Sequence, residues 1–92
     1  MTKPATLKYT WAPYVETIQV DGECVVIQAE KYTTTRLNQT GGWIWSQLQE
    51  PQTVSDLVEK LVENFNVPKE QAEADINDFL QEIQRVELIM TV

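Results

Sequence analysis

Leu37–Leu48, LNQTGGWIWSQL, followed by Pro51–Leu61, PQTVSDLVEKL, is the stretch whose reading decides the fold. Asn38 suits a helix N-cap, because its side-chain oxygen can accept from a backbone N–H that the first turn leaves unpaired. Gly41, Ile44, Trp45 and Leu48 then fall at i, i+3, i+4 and i+7, one face of a helix. Gly41 and Gly42 lower helix propensity in that first turn, which predicts the close approach of another backbone. Thr53 offers a second cap, with Asp56 three residues on in a capping-box position. From about Thr53 to Asn64 or Phe65, the residues Val54, Leu57, Val58, Leu61, Val62 and Phe65 make an apolar stripe. Glu59, Lys60 and Glu63 lie on the opposite, solvated side.

Downstream, Asn64-Phe65-Asn66-Val67-Pro68 breaks this pattern. Pro68 fits the first position of a third helix, where a missing N–H costs little. That helix is predicted over Pro68–Arg85, with Ala72, Ile76, Phe79, Leu80, Ile83 and Val86 as its apolar face. Asp75, Asp78 and Glu82 form an acidic stripe on one flank. Leu88-Ile89-Met90 reads as an extended aliphatic piece closing against the core.

Upstream, Tyr14–Val20 is β-prone and leads into Asp21-Gly22, a hairpin turn signal because both central residues of a type I′ turn need positive φ. Cys24–Ala29, CVVIQA, is an apolar run of strand length, and Glu30-Lys31 can turn the chain again. Tyr32–Arg36, YTTTR, is β-prone but polar. The expected class is therefore α+β: a three-stranded antiparallel meander followed by three helices, resembling a winged helix-turn-helix. Residues 1–92 make one domain, and 1–13 read as a loosely held arm that lacks the apolar core of a signal peptide. Trp43 lies off the Ile44–Leu48 face; it either packs under that arm with Tyr9 or Trp11 or belongs to an exposed apolar patch.

Composition narrows the function. With no histidine and one cysteine, His-based acid–base catalysis, Ser-His-Asp or Cys-His triads and the usual zinc sets are excluded. Cys24 in its apolar strand reads as a buried structural thiol. A lone cysteine suits a reducing cytoplasm, and no run of apolar residues is long enough to span a membrane. Of the 14 acidic and 7 basic residues, the 1–36 half carries four of each and the 37–92 half ten acidic and three basic, so the helical half holds the whole charge of −7. Such a surface repels phosphate backbones and attracts basic peptides, although solubility alone also explains it. A DNA-reading helix needs cations and base-reading side chains. Here Lys69 and Arg85 stand at the ends of the third helix with five carboxylates between them. No nucleic-acid or membrane partner, no metal and no cofactor is expected, and no enzyme activity.

What remains is a peptide-binding surface. The threonine-rich, proline-free third strand suits a sheet edge with unpaired N–H and C=O groups. An extended peptide can add there as a fourth strand, alternate side chains entering a groove. Lys31, Tyr32, Thr33, Thr34, Thr35 and Arg36 would give one wall; Asp75, Ile76, Asp78, Phe79, Glu82 and Ile83 of the third helix would give the other. On these residues alone a solvated edge that binds nothing is the favoured reading, and self-pairing through that edge is also open.

The ordered set Leu37, Asn38, Thr40, Gly41, Ile44, Trp45, Leu48, Thr53, Val54, Leu57 and Leu88-Ile89 resembles the PqqD-like family of recognition elements for ribosomally synthesised, post-translationally modified peptides. The resemblance runs from the second strand to the end of the chain. It implies a winged-helix fold and a non-catalytic domain that captures the leader of a precursor peptide between the third strand and third helix. The partner would then be a leader peptidase, as in lasso-peptide pathways, or another modifying enzyme. Two alternatives stay open: a PqqD-type chaperone for a radical SAM enzyme and, more remotely, a winged-helix DNA-binding regulator.

Overall fold

The computed structural model describes residues 7–92. Chain order is β1 (Tyr9–Trp11), β2 (Val15–Val20), β3 (Glu23–Gln28), β4 (Thr33–Leu37), α1 (Gln39–Gln47), α2 (Val54–Phe65), α3 (Lys69–Arg85) and β5 (Ile89–Thr91). The expected meander is β2-β3-β4, antiparallel throughout, and the three helices follow it. Asp21 and Gly22, both at positive φ, make the first turn.

Both helix caps form as the side chains dictate. The Asn38 side chain accepts from the Gly41 N–H at 2.7 Å. The Thr53 hydroxyl accepts from the Asp56 N–H at 3.0 Å, and the Asp56 carboxylate accepts from the Thr53 N–H at 3.2 Å. Those bonds to Thr53, its backbone N–H first, hold the Asp56 carboxyl below its ordinary pKa. Asn66, in the left-handed region, ends α2 with its N–H on the Val62 carbonyl. Pro68 caps α3 rather than occupying its first turn: its ψ of 149° is extended, and its carbonyl accepts the first helical bond from Ala72.

The core gathers the predicted faces. Ile44, Trp45 and Leu48 of the α1 segment meet Leu57, Val58 and Leu61 of α2, Ala72, Ile76, Leu80 and Ile83 of α3, and Leu88-Ile89. Cys24, Val26 and Leu37 close it from the sheet. Burial pushes the Cys24 thiol pKa up, which leaves it a weak nucleophile. The glycines make room for side chains, not for the backbone expected. A Cβ on Gly42 would come within 3.2 Å of Cys24 Cβ, and one on Gly41 within 3.2 Å of the Phe79 ring.

The arm read as loose over 1–13 is a strand over Tyr9–Trp11; residues 1–6 lie outside the described part. β1 pairs antiparallel with β5 and bridges Gln52. It is held because the C-terminal carbonyls of α1 need donors. Leu48 O accepts from the Thr10 hydroxyl (2.8 Å) and the Trp11 N–H (3.2 Å), and Trp45 O accepts from Trp11 Nε1 (2.9 Å). The Trp11 ring stacks on Trp45 at 4.9 Å. Trp43, expected against Tyr9 or Trp11 or in an exposed patch, instead meets Phe65 edge-on at 5.2 Å and is half-buried.

Candidate functional site: an open strand edge beside an acidic-rimmed cavity

Among the described residues β4 pairs with β3 alone, so its far side is an open edge. The ladder fixes which groups it offers. Ala29 N–H donates to Tyr14 O at 2.9 Å, so the odd-numbered residues of β3 turn their backbone groups toward β2. The even ones, Cys24, Val26 and Gln28, turn toward β4, where they oppose Leu37, Thr35 and Thr33. Thr34 and Arg36 therefore direct their N–H and C=O outward, to the open edge. Side chains alternate as well: Thr35 and Leu37 sit over the core with Val26 and Cys24, whereas Thr34 and Arg36 are exposed on the outer face.

Lys31 and Tyr32 are not part of this strand. They lie in the turn before it, Tyr32 at φ 55° and 93% exposed, and Lys31 within 3.5 Å of the Glu87 carboxylate. Arg36 faces Glu23 at 3.5 Å across the outer surface. Both pairs are solvent-exposed, and such pairs contribute little stability.

Of the six predicted helix residues, Asp75, Asp78 and Phe79 line one cavity of about 270 Å³. Its remaining lining comes from Asn38, Thr40, Gly41 and Ile44, at the start of α1. The cavity lies off the C-terminal end of β4, and none of Thr33–Arg36 lines it. Ile76 and Ile83 are fully buried in the core and form no groove wall: four positions before and three positions after Leu80, they share its helical face and go inward with it. Glu82 is exposed and engaged with Arg85 one turn on, a bond that raises the Arg85 pKa.

Asn38, Thr40, Gly41 and Ile44 were not among the predicted site residues. The bare first turn of α1 was the available signal, since a glycine against an aromatic ring is what leaves the cavity open. Gln28, hidden in an apolar run, was also missed. Its buried side chain donates to Glu87 O (2.8 Å) and accepts from Glu30 N–H (3.0 Å), tying the β3–β4 turn to the end of α3. Among the described residues no cluster of three or more Cys, Asp or Glu could hold a metal, and no helix is long and apolar enough to cross a membrane.

The antiparallel sheet and the three helices make a winged-helix-like domain, with the edge of β4 next to a helix-walled cavity. The profile of coenzyme PQQ synthesis protein D, PqqD, matches residues 23–89, and the chain belongs to that family. Its fold is similar to that of TbiB1 in complex with the TbiA(beta) leader peptide, with a TM-score of 0.79 and 26% identity over 87% of this chain and 93% of that one. It is also similar in fold to a lasso peptide synthetase B1 complexed with the leader peptide, with a TM-score of 0.78 and 20% identity over 89% of this chain and 96% of that one. No curated protein sequence matches the chain.

Proposed function

We propose that this domain captures the leader of a precursor peptide by strand addition at β4 and delivers the peptide to a lasso-pathway leader peptidase. The observation that carries the reading is the outward set of Thr34 and Arg36 backbone groups, next to a cavity walled by Phe79 and rimmed by Asp75 and Asp78. An antiparallel leader would exchange main-chain bonds with Thr34 and Arg36. Its alternate residues would point inward, and the segment nearest Leu37 would reach the cavity. The similarity to TbiB1 bound to a leader peptide supports this use of the fold. The groove is then Thr33–Arg36 with Asn38, Thr40, Asp75, Asp78 and Phe79. Lys31, Tyr32 and Glu82 flank it, and Ile76 and Ile83 support it from the core.

The domain does no chemistry itself. It works in the cytoplasm by raising the local concentration of the peptide at the enzyme, making the encounter nearly intramolecular. A second reading, delivery to a radical SAM enzyme, is favoured by the family match to coenzyme PQQ synthesis protein D. Delivery of either kind requires binding first. In a backbone NMR titration with a lasso-precursor leader, the largest shifts should fall on residues 33–36, on Asn38–Gly41 and on the Asp75–Phe79 flank. Affinity should lie at about −8 to −10 kcal/mol, micromolar to tens of nanomolar. Shifts confined to α2 would overturn the assignment.

A further inference from the structure

Gln28 is 3% exposed at the end of an otherwise apolar row, after Cys24 and Val26 on the core face of β3. An aliphatic side chain would fill that place without the cost of burying an amide. What the amide adds is a pair of bonds to two separate turns. Its Nε2 donates to the Glu87 carbonyl past α3 at 2.8 Å, and its Oε1 accepts from the Glu30 N–H before β4 at 3.0 Å. The Gln28 carbonyl also accepts from the Lys31 N–H at 3.2 Å.

Glu87 meets the same turn twice. α3 ends with the Glu87 N–H on the Gln84 carbonyl and the Leu88 N–H on that of Ile83, a Schellman arrangement whose left-handed residue is usually glycine. Here that residue is Glu87, at φ 62°, a conformation uncommon outside glycine. Its carboxylate lies 3.5 Å from Lys31 Nζ. Backbone and side chain of Glu87 thus both face the lead-in to β4.

These bonds close the second end of the peptide site. At the first end, Gly41 brings the start of α1 against Phe79 of α3. At the second, Gln28 and Glu87 join the lead-in of β4 to the end of α3. Thr33–Leu37 is about 13 Å of strand, and Phe79–Val86 is about 10 Å of helix, so the two walls run between the two ties over comparable lengths. Beside Thr33 the inner face of β4 is uncovered: Thr33 shares that face with buried Leu37 yet is exposed. An antiparallel leader passes Leu37 with its N-terminal part and Thr33 with its C-terminal part. Its inward side chain beside Thr33 therefore lies toward the end of α3 that Gln28 holds.

We propose that Gln28 is a positioning residue of the peptide site: by bonding both turns it sets the separation between β4 and the end of α3, and so the space open to the leader's inward side chain beside Thr33. This rests on the strand-addition reading above. Gln28 touches no leader atom; it acts through the Glu87 and Glu30 backbone.

The test uses the full chain, a lasso-precursor leader and two leader variants, each with one inward apolar residue cut back to alanine. One lies beside Thr33 and one beside Leu37, placed by cross-strand proton contacts in NMR spectra of the complex. With the wild-type chain each truncation should weaken binding about tenfold, the worth of one buried apolar side chain. Gln28→Met is close in volume but cannot donate to Glu87 O. In that variant the penalty beside Thr33 should shrink to about twofold while the one beside Leu37 stays. These affinity ratios cancel any unfolded fraction, so a glutamine that matters only for stability weakens all three peptides alike. Gln28→Asn, one methylene shorter, carries the same expectation where Gln28→Met fails to fold. Glu87→Gly keeps the carbonyl that Gln28 bonds and suits the left-handed position, so both penalties should stay as in wild type.

A folded Gln28→Met chain with both penalties undiminished overturns the proposal. So does a wild-type chain that tolerates the truncation beside Thr33. Loss of that penalty in Glu87→Gly would put the positioning in the charge pair with Lys31 and overturn the assignment to Gln28. A wild-type complex without cross-strand contacts to β4 overturns the strand-addition reading instead, and the role of Gln28 falls with it.

Discussion

A Cβ on Gly41 would stand 3.2 Å from Cε1 of Phe79, so the first turn of α1 and the middle of α3 touch with nothing between them. The same Cβ would lie 3.1 Å from Asn38 Oδ1, the atom that caps the helix. Gly41→Ala therefore pits two effects against each other. Alanine gains about 1 kcal/mol of helix propensity, while overpacking costs about 1–3 kcal/mol. The expected outcome is a net loss of roughly 1 kcal/mol in a urea titration, with weaker leader binding because Gly41 lines the cavity. A variant that is more stable and binds normally would show that Phe79 moves aside freely.

Thr34→Pro separates edge from fold. The Thr34 N–H faces the open side, so proline there removes no β3–β4 ladder bond, and edge strands tolerate proline on that side. Near-native circular dichroism is expected, with leader affinity reduced on the order of tenfold, the worth of about one main-chain hydrogen bond. A folded Thr34→Pro protein with an unchanged isotherm would end the strand-addition reading.

The helices were legible because local signals and burial agree: the Asn38 and Thr53 caps and the stripes on α2 and α3 are period-3.6 patterns that tertiary packing follows. The edge character of β4 followed from its threonines. Which α3 residues reach the groove did not, because Ile76, Phe79 and Ile83 share one apolar face and only packing decides that Phe79 lies at its border. β1 was illegible for a different reason. Tyr-Thr-Trp is too short to show a period, and its stability comes from long-range partners, Leu48, Trp45 and β5.

The α2 cap predicts an acid dependence. The Thr53 N–H and hydroxyl stabilise ionised Asp56, so its folded pKa is below the ordinary value. A depressed pKa contributes stability that is complete above the ordinary carboxylate range and is lost as pH falls through the folded value. The difference in stability between wild type and Asp56→Ala should thus be constant near neutrality and shrink in acid, measured by denaturant melts from pH 7 to about pH 2. A difference that grows in acid would contradict the capping box. Thr53→Ala, at a buried cap, should cost about 1 kcal/mol at neutral pH.

The acidic flank of α3 divides into two parts that a leader should feel differently. Asp75 and Asp78 rim the cavity, Asp75 half-buried, whereas Glu82 is held by Arg85 and presents a largely neutralised pair. For a leader with basic residues beside its apolar anchors, Asp75→Lys/Asp78→Lys should slow association at low salt more than it speeds dissociation, since rim charges act mainly on encounter. Glu82→Lys should slow it less, because the charge it removes was already opposed. Both effects should fade as salt rises toward 1 M, where the screening length is about 3 Å. Stopped-flow fluorescence from the native tryptophans across a salt series reads all of this in one experiment. Effects of the Asp75/Asp78 and Glu82 reversals that scale only with the number of charges reversed would mean that the leader senses the net charge of the helical half and not the cavity rim. No effect of either would leave the apolar wall at Phe79 and the β4 edge as the sources of recognition.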